Sequence, residues 1–363
     1  MSEWKECKLG EVVKFGNGKI RPQSKGNIPV YGGNGILDYS DQYNYTNETI
    51  VIGRVGAYCG SVFYENRPIW VSDNALSVKA IPGYNARFLY YFLSNLKLNE
   101  FAEGSSHPLV TQTLLNSIDV IITDNEIEQT LIADILSSLD DKIDLLNRQN
   151  QTLESMAGAL FRHYFIDNPK EEWKDGVISD LIDFNPTRKL TKNTVAPFLE
   201  MSELSTRTYA PNGWYERVYT SGTKFQNGDT LLARITPCLE NGKTAYVDFL
   251  KEDQIGWGST EYIVMRPKEI IHPFFAYVIA KFQDFRDFAE NCMSGSSGRQ
   301  RVDVENLKSY ECKIPDRESI DKFNTYAKLA VEKMNYNNTQ IRTLTELRDT
   351  LLPKLMNGEI ESI

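Results

Sequence analysis

Two stretches of the chain carry the apolar pattern of a long helix. From Ile132 to Leu160, and again from Ile320 to Leu355, apolar residues recur at alternating steps of three and four. This spacing forms a seam along which one helix packs against another. The first pattern predicts a helix over about 126–164, capped by Asp124 or Asn125 and followed by Pro169. The second predicts a helix that Asp316 caps and that Pro353 and Gly358 end.

Each seam contains one asparagine near its middle, and a buried asparagine usually fixes register at some cost in stability. The middle of the second helix, EKMNYNNTQ, is too polar to be stable alone, so the first helix is its expected partner. The alternative is that each helix packs on its own domain. The residues expected in the helix-pair interface are Leu139, Ile143, Leu146, Asn150, Leu153, Met334, Asn337, Ile341, Leu344 and Leu351.

The rest of the chain has a mixed α and β pattern. Short β-branched runs, such as IVIG, ALSV and VIIT, alternate with turn-rich stretches, and one aromatic helix is predicted at about 85–102. We therefore expect an α+β fold in four parts. They are a first globular domain at 1–125, a long helical segment at 126–170, a second globular domain at 171–316 and a second long helical segment at 317–363.

The order of these elements is repeated along the chain. EWKECKLGEVVKF near the start and EWKDGVISDLIDF after the middle share the spacing from Trp to the final Phe. Matching segments follow in one order up to the related loops FAEGSSHPLV and FAENCMSGSSGRQRV. A tandem duplication explains this order better than chance. The sequence therefore predicts two similar mixed α/β domains, a pseudo-twofold internal repeat, and two long helices that pair as an antiparallel coiled coil.

Composition and charge narrow the class of protein. The chain has 363 residues and a net charge of −9, which argues against a general polyanion binder. Five scattered cysteines without a CxxC motif indicate reduced thiols of a cytoplasmic protein rather than a disulfide framework or a zinc site. The N-terminus lacks a signal-peptide pattern, and no apolar run approaches the roughly 18 residues of a membrane helix.

No motif for catalysis or metal binding is complete. PCLENGKT resembles a phosphate-binding loop, but Pro237 stands where the first glycine is needed and has no N–H to donate, so we interpret it as a polar hairpin loop. NPTR lacks the rest of a methyltransferase tetrad, GSSG is not GxSxG, and the three histidines have no ligand spacing. We therefore expect neither a catalytic residue nor a metal ligand in this chain.

Several polar loops are suited to nucleic acid. KFGNGKIRPQSKG and NPTRKLTK occupy matching positions and combine cations with flexible backbone, while the Gly-Ser-Ser loops offer hydroxyl and N–H donors to phosphates. Arginine and lysine also read guanine edges. The alternative for each residue is a solvated surface. The candidate contacts are Lys19, Arg21, Lys25, Arg54, Ser105, Ser106 and His107 in the first half, and Arg188, Lys189, Lys192, Arg234, Ser296, Ser297, Arg299 and Arg301 in the second.

This layout resembles the specificity subunit of type I restriction–modification enzymes. The resemblance rests on the domain–helix–domain–helix order, the opening from Trp4 to Val13 and from Trp173 to Ile182, NEIEQTLIADILSSLDDKIDLLNRQN, and RDTLLPKLMNGEI. It implies a non-catalytic subunit in which 1–125 and 171–316 are target recognition domains, 126–170 and 317–363 are spacer helices, and the two domains bind a bipartite, asymmetric site on double-stranded DNA. It also implies that the helices set the gap between half-sites and dock two methyltransferase subunits, through which restriction subunits join.

The resemblance assigns no cofactor to this chain. S-adenosylmethionine, ATP and magnesium are implied for the partner subunits, and no membrane partner is implied. The two Gly-Ser-Ser loops differ, with His107-Pro108 in one and Gly298-Arg299 in the other, which leaves individual DNA contacts open. Two alternatives remain: a stand-alone methyltransferase or nuclease with cryptic motifs, and a protein scaffold that binds no DNA.

Overall fold

A computed structural model describes residues 4–104, 108–296 and 298–359. The chain forms two compact units, one comprising Met1–Ile143 with Thr343–Ile363, the other Asp144–Arg342. The expected limits at 125, 170 and 316 lie near changes of secondary structure, whereas the two units divide inside the long helices. Each long helix therefore contributes one segment to each unit.

The first domain (residues 4–123) is built from nine strands and two short α-helices. In chain order they are β1 (Trp4–Lys8), β2 (Val13–Asn17), β3 (Ile28–Gly32), β4 (Gly35–Ser40), β5 (Thr49–Gly53), β6 (Val62–Glu65), β7 (Trp70–Val71), β8 (Ala75–Ala80), α1 (Ala86–Asn95), α2 (Gln112–Ser117) and β9 (Asp119–Thr123). The long helix α3 (Glu126–Phe161) follows, and a π-helical turn (Arg162–Asp167) extends it.

The second domain (residues 174–314) repeats this order with insertions. Its elements are β10 (Lys174–Val177), β11 (Ile182–Phe184), β12 (Val195–Leu199), β13 (Tyr215–Val218), β14 (Thr223–Phe225), β15 (Thr230–Ala233), β16 (Thr244–Tyr246), β17 (Gly256–Gly258), β18 (Tyr262–Pro267), α4 (Phe274–Lys281), α5 (Gln283–Asn291), β19 (Met293–Ser294), β20 (Arg301–Val302), α6 (Val304–Leu307) and β21 (Glu311–Ile314). The second long helix, α7, spans Arg317–Met356.

The sheets of the two domains share one topology. The first domain has sheets of order β2-β8-β5-β6 and β4-β3-β7, with β1 paired to β9. The second has β11-β18-β15-β16 and β13-β12-β17-β14, with β10 paired to β21. The strand β14 is an addition of the second domain. Two α+β domains with one strand order confirm the predicted fold class and the internal repeat.

The strand register matches residue by residue. Ile50 pairs with Val78 in the first domain, and Thr230 pairs with Met265 in the second. The same alignment pairs Phe15 with Val78 and Phe184 with Met265. The sequence repeat aligns these same positions. The register is expected to be kept in both domains, because a shift by one residue would turn every side chain to the other face of the sheet.

Both long helices begin where the apolar pattern predicts. Asn125 caps α3 by accepting hydrogen bonds from the backbone N–H groups of Ile127 and Glu128. Asp316 caps α7 by accepting one from Ser319 at 2.9 Å. The first helix was predicted to end near 164; its regular α-helical part ends at Phe161, and the π-helical turn continues it to Asp167.

The prediction that Pro353 ends the second helix was wrong. Pro353 lies inside α7, which continues to Met356. The missing N–H costs little there, since the carbonyl that it would have bonded belongs to the exposed Asp349 near the helix end. Gly358 does close the helix, with a φ of +67° in the left-handed region that glycine favours.

In the first unit, the opening of α3 packs against the end of α7. Leu136 belongs to the same buried core as Leu355 and Met356. Further along, the Arg348 guanidinium binds the Asp140 carboxylate at 2.9 Å. Tyr91 on α1 donates to the other oxygen of Asp140 at 2.6 Å, so the helix pair is also fixed to its domain.

In the second unit, the later part of α3 packs against the opening of α7. Asn337 donates to Asn150 at 2.9 Å, and the rings of Phe165 and Phe323 lie 5.8 Å apart. Rising numbers on α3 meet falling numbers on α7, so the segments run antiparallel within each unit. All ten positions predicted for the helix pair are buried or half-buried.

The structure also places the hairpin loop and the cysteines. Residues 237–243 of PCLENGKT lie in the connection between the paired antiparallel strands β15 and β16, as a hairpin loop should. All five cysteines are free thiols. Among the described residues, no helix is long and apolar enough to cross a membrane, and no group of histidine, cysteine and acidic residues could hold a metal ion.

Candidate nucleic-acid interface

Each domain has a polar cleft in the same part of its fold. One wall is the loop that follows the first strand of the four-stranded sheet, β2 or β11. The other wall is the turn that precedes β8 or β18. We call them the first cleft and the second cleft. Their equivalence follows from the shared strand order, so the duplication has produced two candidate binding sites.

The first cleft, of about 660 Å³, is lined by Arg21, Lys25 and exposed apolar side chains. Ile20 is 81% exposed and Leu37 is 49% exposed, although both are aliphatic. The Arg21 guanidinium lies 3.9 Å from the Asp38 carboxylate, a loose ion pair on the surface. The cleft therefore offers cations to phosphates and apolar contacts to sugars or bases.

Lys19 stands at the edge of the same loop. Its backbone N–H bonds Val71 at 3.0 Å, and its carbonyl accepts from the Trp70 indole at 3.3 Å. The backbone is thus fixed while the side chain is exposed. The Lys19 side chain is therefore an exposed cation on a fixed stretch of backbone, and it has no ion-pair partner among the residues described.

The second cleft, of about 310 Å³, brings three cations together: Arg188, Lys224 and Arg234. Lys224 donates to the Arg188 carbonyl at 3.2 Å and lies over the Tyr219 ring at 5.4 Å. Sequence analysis missed Lys224, because it lies on the added strand β14 and has no counterpart in the first domain.

A buried carboxylate organises one wall of the second cleft. Asp229, whose side chain is fully buried, accepts from Arg188 at 3.1 Å and from Arg266 at 2.6 Å. It also accepts from the Gln226 backbone N–H at 2.8 Å. Two guanidinium groups around one carboxylate leave a surplus positive charge at the wall. Arg188 is therefore a structural ion-pair residue as well as a candidate contact.

Arg301 is also committed to an internal partner. Its guanidinium forms a bidentate ion pair with Glu261 at 2.7–2.9 Å. Ser296 is exposed, and its carbonyl accepts from the Arg299 backbone N–H at 3.0 Å. The Arg299 side chain is exposed and has no ion-pair partner among the described residues. Of the two arginines in this loop, Arg299 is therefore the better candidate for a DNA contact.

The remaining predicted DNA contacts lie beside the clefts or outside the described residues. Lys189 and Lys192 are exposed beside the second cleft loop, outside the lining of the cleft itself. Ser105, Ser106, His107 and Ser297 lie outside the residues that the structure describes. All of these positions stay predictions. Arg54 and Arg234 are half-buried, since each directly follows a fully buried strand.

Buried polar groups join the second domain to its helix pair. Asn150 donates to Asn338 at 2.8 Å, and Asn338 donates to the Tyr209 hydroxyl at 2.6 Å. Tyr209 in turn donates to Asp248 at 3.0 Å. Burial raises the pKa of Asp248 and, with the nearby carboxylate, raises that of Tyr209. The predicted register residue Asn150 therefore belongs to a network that also holds a recognition domain.

A second contact of this kind involves Glu154 on α3. Its carboxylate accepts from the Tyr277 hydroxyl at 2.8 Å and from the Tyr209 backbone N–H at 3.0 Å. Burial is the main cause that raises the pKa of Glu154, against the lowering effect of both hydrogen bonds. Tyr277 of α4 aligns with Tyr91 of α1, so both domains present a tyrosine to a helix carboxylate.

The chain thus contains two similar α+β domains, and each has a cationic cleft and packs against a pair of helix segments. These features define an internally duplicated protein of a ligand-binding class. The chain belongs to the family described as the type I restriction modification DNA specificity domain, which matches residues 1–155 and 170–339. This finding confirms the resemblance. It supports the specificity-subunit interpretation and gives no support to a stand-alone methyltransferase or nuclease.

Comparison with known proteins agrees with this assignment. The chain is 22% identical over 355 residues to the type I restriction enzyme HindI specificity subunit of Haemophilus influenzae, covering 75% of this chain and 77% of that protein. It is 28% identical over 163 residues to the EcoprrI specificity subunit of Escherichia coli, covering 43% and 40%. The latter match thus includes less than half of that relative.

A solved structure of another protein shares the fold of this chain. The S subunit of a type I restriction–modification system from M. genitalium has a TM-score of 0.60 and 16% identity, and the match covers 98% of this chain and 96% of that one. At this identity, the likeness shows the fold alone.

Proposed function

We propose that this chain is the DNA-reading subunit of a type I restriction–modification complex and that it recognises a bipartite, asymmetric site. The observation that carries the proposal is the presence of two cationic clefts at equivalent places in two diverged domains. One duplex bound by both domains would be read as two half-sites. Since the cleft linings differ, the half-sites would differ in sequence as well.

The chemistry of the clefts fits double-stranded DNA. Their lysines and arginines suit phosphate oxygens and guanine edges, while the aliphatic groups of Ile20 and Leu37 suit thymine methyl groups and sugars. A net charge of −9 implies that this chain alone binds weakly and that partner subunits supply much of the phosphate contact.

The helices are assigned two roles in this proposal. As an antiparallel coiled coil they would set the gap between half-sites, and their outer faces would dock two methyltransferase subunits. Restriction subunits would join through these. Under this proposal the chain is cytoplasmic, performs no chemistry and binds no cofactor of its own. The S-adenosylmethionine, ATP and magnesium of the reaction would then belong to the partner subunits.

A domain exchange tests the proposal. Residues 172–316 are replaced by the matching segment of another family member, and the complex is produced in a host whose modified bases are then mapped by sequencing. We expect one half of the recognised sequence to change and the other half to stay. Replacing the first domain instead should change the other half.

Three outcomes would contradict the proposal. A change of both halves would show that the domains do not read independently. A reconstituted complex with no sequence preference would favour the protein scaffold. Binding of labelled S-adenosylmethionine by the purified chain alone would favour a stand-alone methyltransferase.

A further inference from the structure

Two arginines occupy the same place in the two domains. Arg54 follows the central strand β5 and Arg234 follows its counterpart β15. The carbonyl of Arg54 accepts from Val110 at 2.9 Å, and that of Arg234 accepts from Val302 at 2.9 Å. Their backbone N–H groups donate at 3.0 Å to the backbone carbonyls of Asn74 and Glu261, respectively, and these two residues occupy matching turns. The backbone therefore fixes both arginines in one conformation at the end of a buried strand.

The two arginines stand in different relation to their clefts. Arg234 lines the second cleft together with Thr260 and Tyr262, which flank its backbone partner Glu261. Arg54 is outside the lining of the first cleft, but its backbone partner Asn74 is part of that lining. Arg234 therefore lies in its cleft, and Arg54 lies beside its cleft, one backbone hydrogen bond away from the wall.

Neither arginine has a counter-charge in the part of the chain that the structure describes. Both side chains are half-buried. The Arg234 guanidinium donates one hydrogen bond, to the Val302 carbonyl at 3.0 Å, and the Nε of each arginine is buried without a hydrogen-bond partner among the residues that the structure describes. No described carboxylate lies within ion-pair distance of either one, whereas Arg188, Arg266 and Arg301 all have such a partner. A partly desolvated cation with an unused donor is unfavourable until an anion approaches it.

The repeat indicates which anion this is. The two domains have diverged and read different bases under the proposed function, so most of their contact residues differ between the clefts. A cation kept at one position, with one backbone geometry, contacts what the two half-sites share. The shared part of any DNA half-site is its sugar–phosphate backbone, and arginine binds phosphate through parallel N–H groups.

The geometry points to Arg54 and Arg234 as a matched pair of phosphate-binding residues, one in each domain, which anchor the duplex independently of its sequence. This inference rests on the proposed DNA-reading function and adds a division of labour. The paired arginines supply affinity and fix the position of the backbone. The residues that differ between the clefts, such as Ile20 and Lys224, supply discrimination between bases.

The test measures DNA affinity of the reconstituted complex over a range of salt concentrations. The variants are Arg54→Gln, Arg234→Gln and the double substitution, each assayed on the recognised duplex and on a duplex with shuffled half-sites. We expect each single substitution to weaken both duplexes by a similar factor, about ten-fold. The slope of log affinity against log salt should fall by about 0.9 for each lost phosphate contact. The order of preference among single-base variants should not change.

A matched control is available in the same unit. Arg286 matches Arg234 closely: it is half-buried, has an unpartnered buried Nε, forms no ion pair among the described residues and donates to a backbone carbonyl, that of Glu240, at 2.9 Å. It differs in its place, because it follows no central strand and lines neither cleft. Arg286→Gln should leave the salt slope unchanged. If Arg286→Gln lowers the salt slope as much as Arg54→Gln or Arg234→Gln does, the lower slope comes from a disturbed fold and not from a lost phosphate contact.

Uncharged methylphosphonate linkages in the DNA remove a phosphate charge without any change to the protein. Methylphosphonates are placed one at a time along the recognised duplex. A position that weakens binding by the unsubstituted complex, but not by the Arg234→Gln complex, identifies the phosphate that this arginine contacts. We expect one or two such positions beside each half-site, with those of Arg54 and Arg234 in different half-sites.

Two results would overturn the inference while leaving the proposed function intact. One is an unchanged salt slope and an unchanged affinity in the double variant, with sequence preference retained. The other is a loss confined to particular bases of one half-site, which would make the arginine a base reader. Absence of any sequence preference in the unsubstituted complex would instead refute the proposed function.

Discussion

Asp229 shows how one residue connects the stability of a domain with the charge of its cleft. It is fully buried directly before β15, and two guanidinium groups and one backbone N–H surround it. Removing its charge would leave Arg188 and Arg266 facing each other without a counter-ion. A buried ion pair that loses one partner typically costs about 3–5 kcal/mol, because the remaining charge stays desolvated.

We therefore predict that Asp229→Asn destabilises the second unit by about 3 kcal/mol in urea unfolding. The substitution keeps the shape of the side chain, so the loss reports the charge. Asp253→Asn is the control, since Asp253 is an exposed turn residue of the same domain. An Asp229→Asn variant as stable as this control would show that the ion pairs contribute nothing.

At the scale of elements, the two long helices carry an unusual polar centre. Asn337 donates to Asn150 at 2.9 Å and, at 3.3 Å, to Gln149, while Asn150 donates to Asn338 at 2.8 Å. Asn337 is fully buried, and its own carbonyl oxygen has no partner among the described residues. Apolar residues would pack more favourably here, so the asparagines select one register instead of maximising stability.

A double-mutant cycle tests this role. Asn150→Leu should cost about 1–3 kcal/mol in urea unfolding, because it leaves the amide groups of Asn337 and Asn338 without their partner. Adding Asn337→Leu should recover most of that loss, because the apolar pair packs at the seam. The doubly substituted protein should nevertheless accept a wider range of gaps between half-sites in the reconstituted complex.

Gln151→Leu serves as the control for these substitutions, since Gln151 is exposed on the same helix. If the single Asn150→Leu variant matches it in stability, the hydrogen bonds are not coupled. If the doubly substituted protein keeps the original gap preference, the asparagines do not set the register.

At the scale of the whole molecule, the proposed spacer role makes a quantitative prediction. Inserting one heptad near Asn150 and another near Asn337 lengthens both helices by seven residues. At 1.5 Å per residue this adds about 10 Å, which corresponds to about three base pairs of duplex. We expect the recognised gap to grow by about three base pairs while both half-sites keep their sequence.

Modified-base mapping of a host that carries the lengthened subunit would measure this gap directly. A matched variant with the heptad in only one helix should fail to assemble or to methylate, because the seams no longer align. An unchanged gap in the variant with both insertions would refute the spacer role, without affecting the reading of half-sites by the domains.

The elements of this protein were largely predictable because their patterns are local. The strands IVIG, ALSV and VIIT, the starts of α3 and α7, and the burial of the seam residues all follow from periodicity and capping. Pro353 is an exception, because a proline in the last helical turn removes only a bond that solvent replaces. The local rule for a helix terminator depends on what surrounds the missing N–H.

The candidate site was less predictable. The basic loops around Lys19 and Arg188 were found from their matching positions, yet the partners Asp229 and Glu261 were not, because they come from distant strands. Lys224 lies on a strand that has no counterpart in the first domain, so comparison of the repeats could not reveal it. Residues that meet only through sheet pairing leave no local signal.

The sequence by itself determined the duplication, the α+β class, the two long helices and the asparagines at their seams. Each of these follows from spacing between neighbours along the chain or from comparison of its two halves. The tertiary structure decided which cations form ion pairs with carboxylates and which, like Arg54 and Arg234, have no carboxylate partner within the described ranges. The physical reason is that ion pairing and burial depend on distances across strands far apart in sequence, which periodicity does not encode.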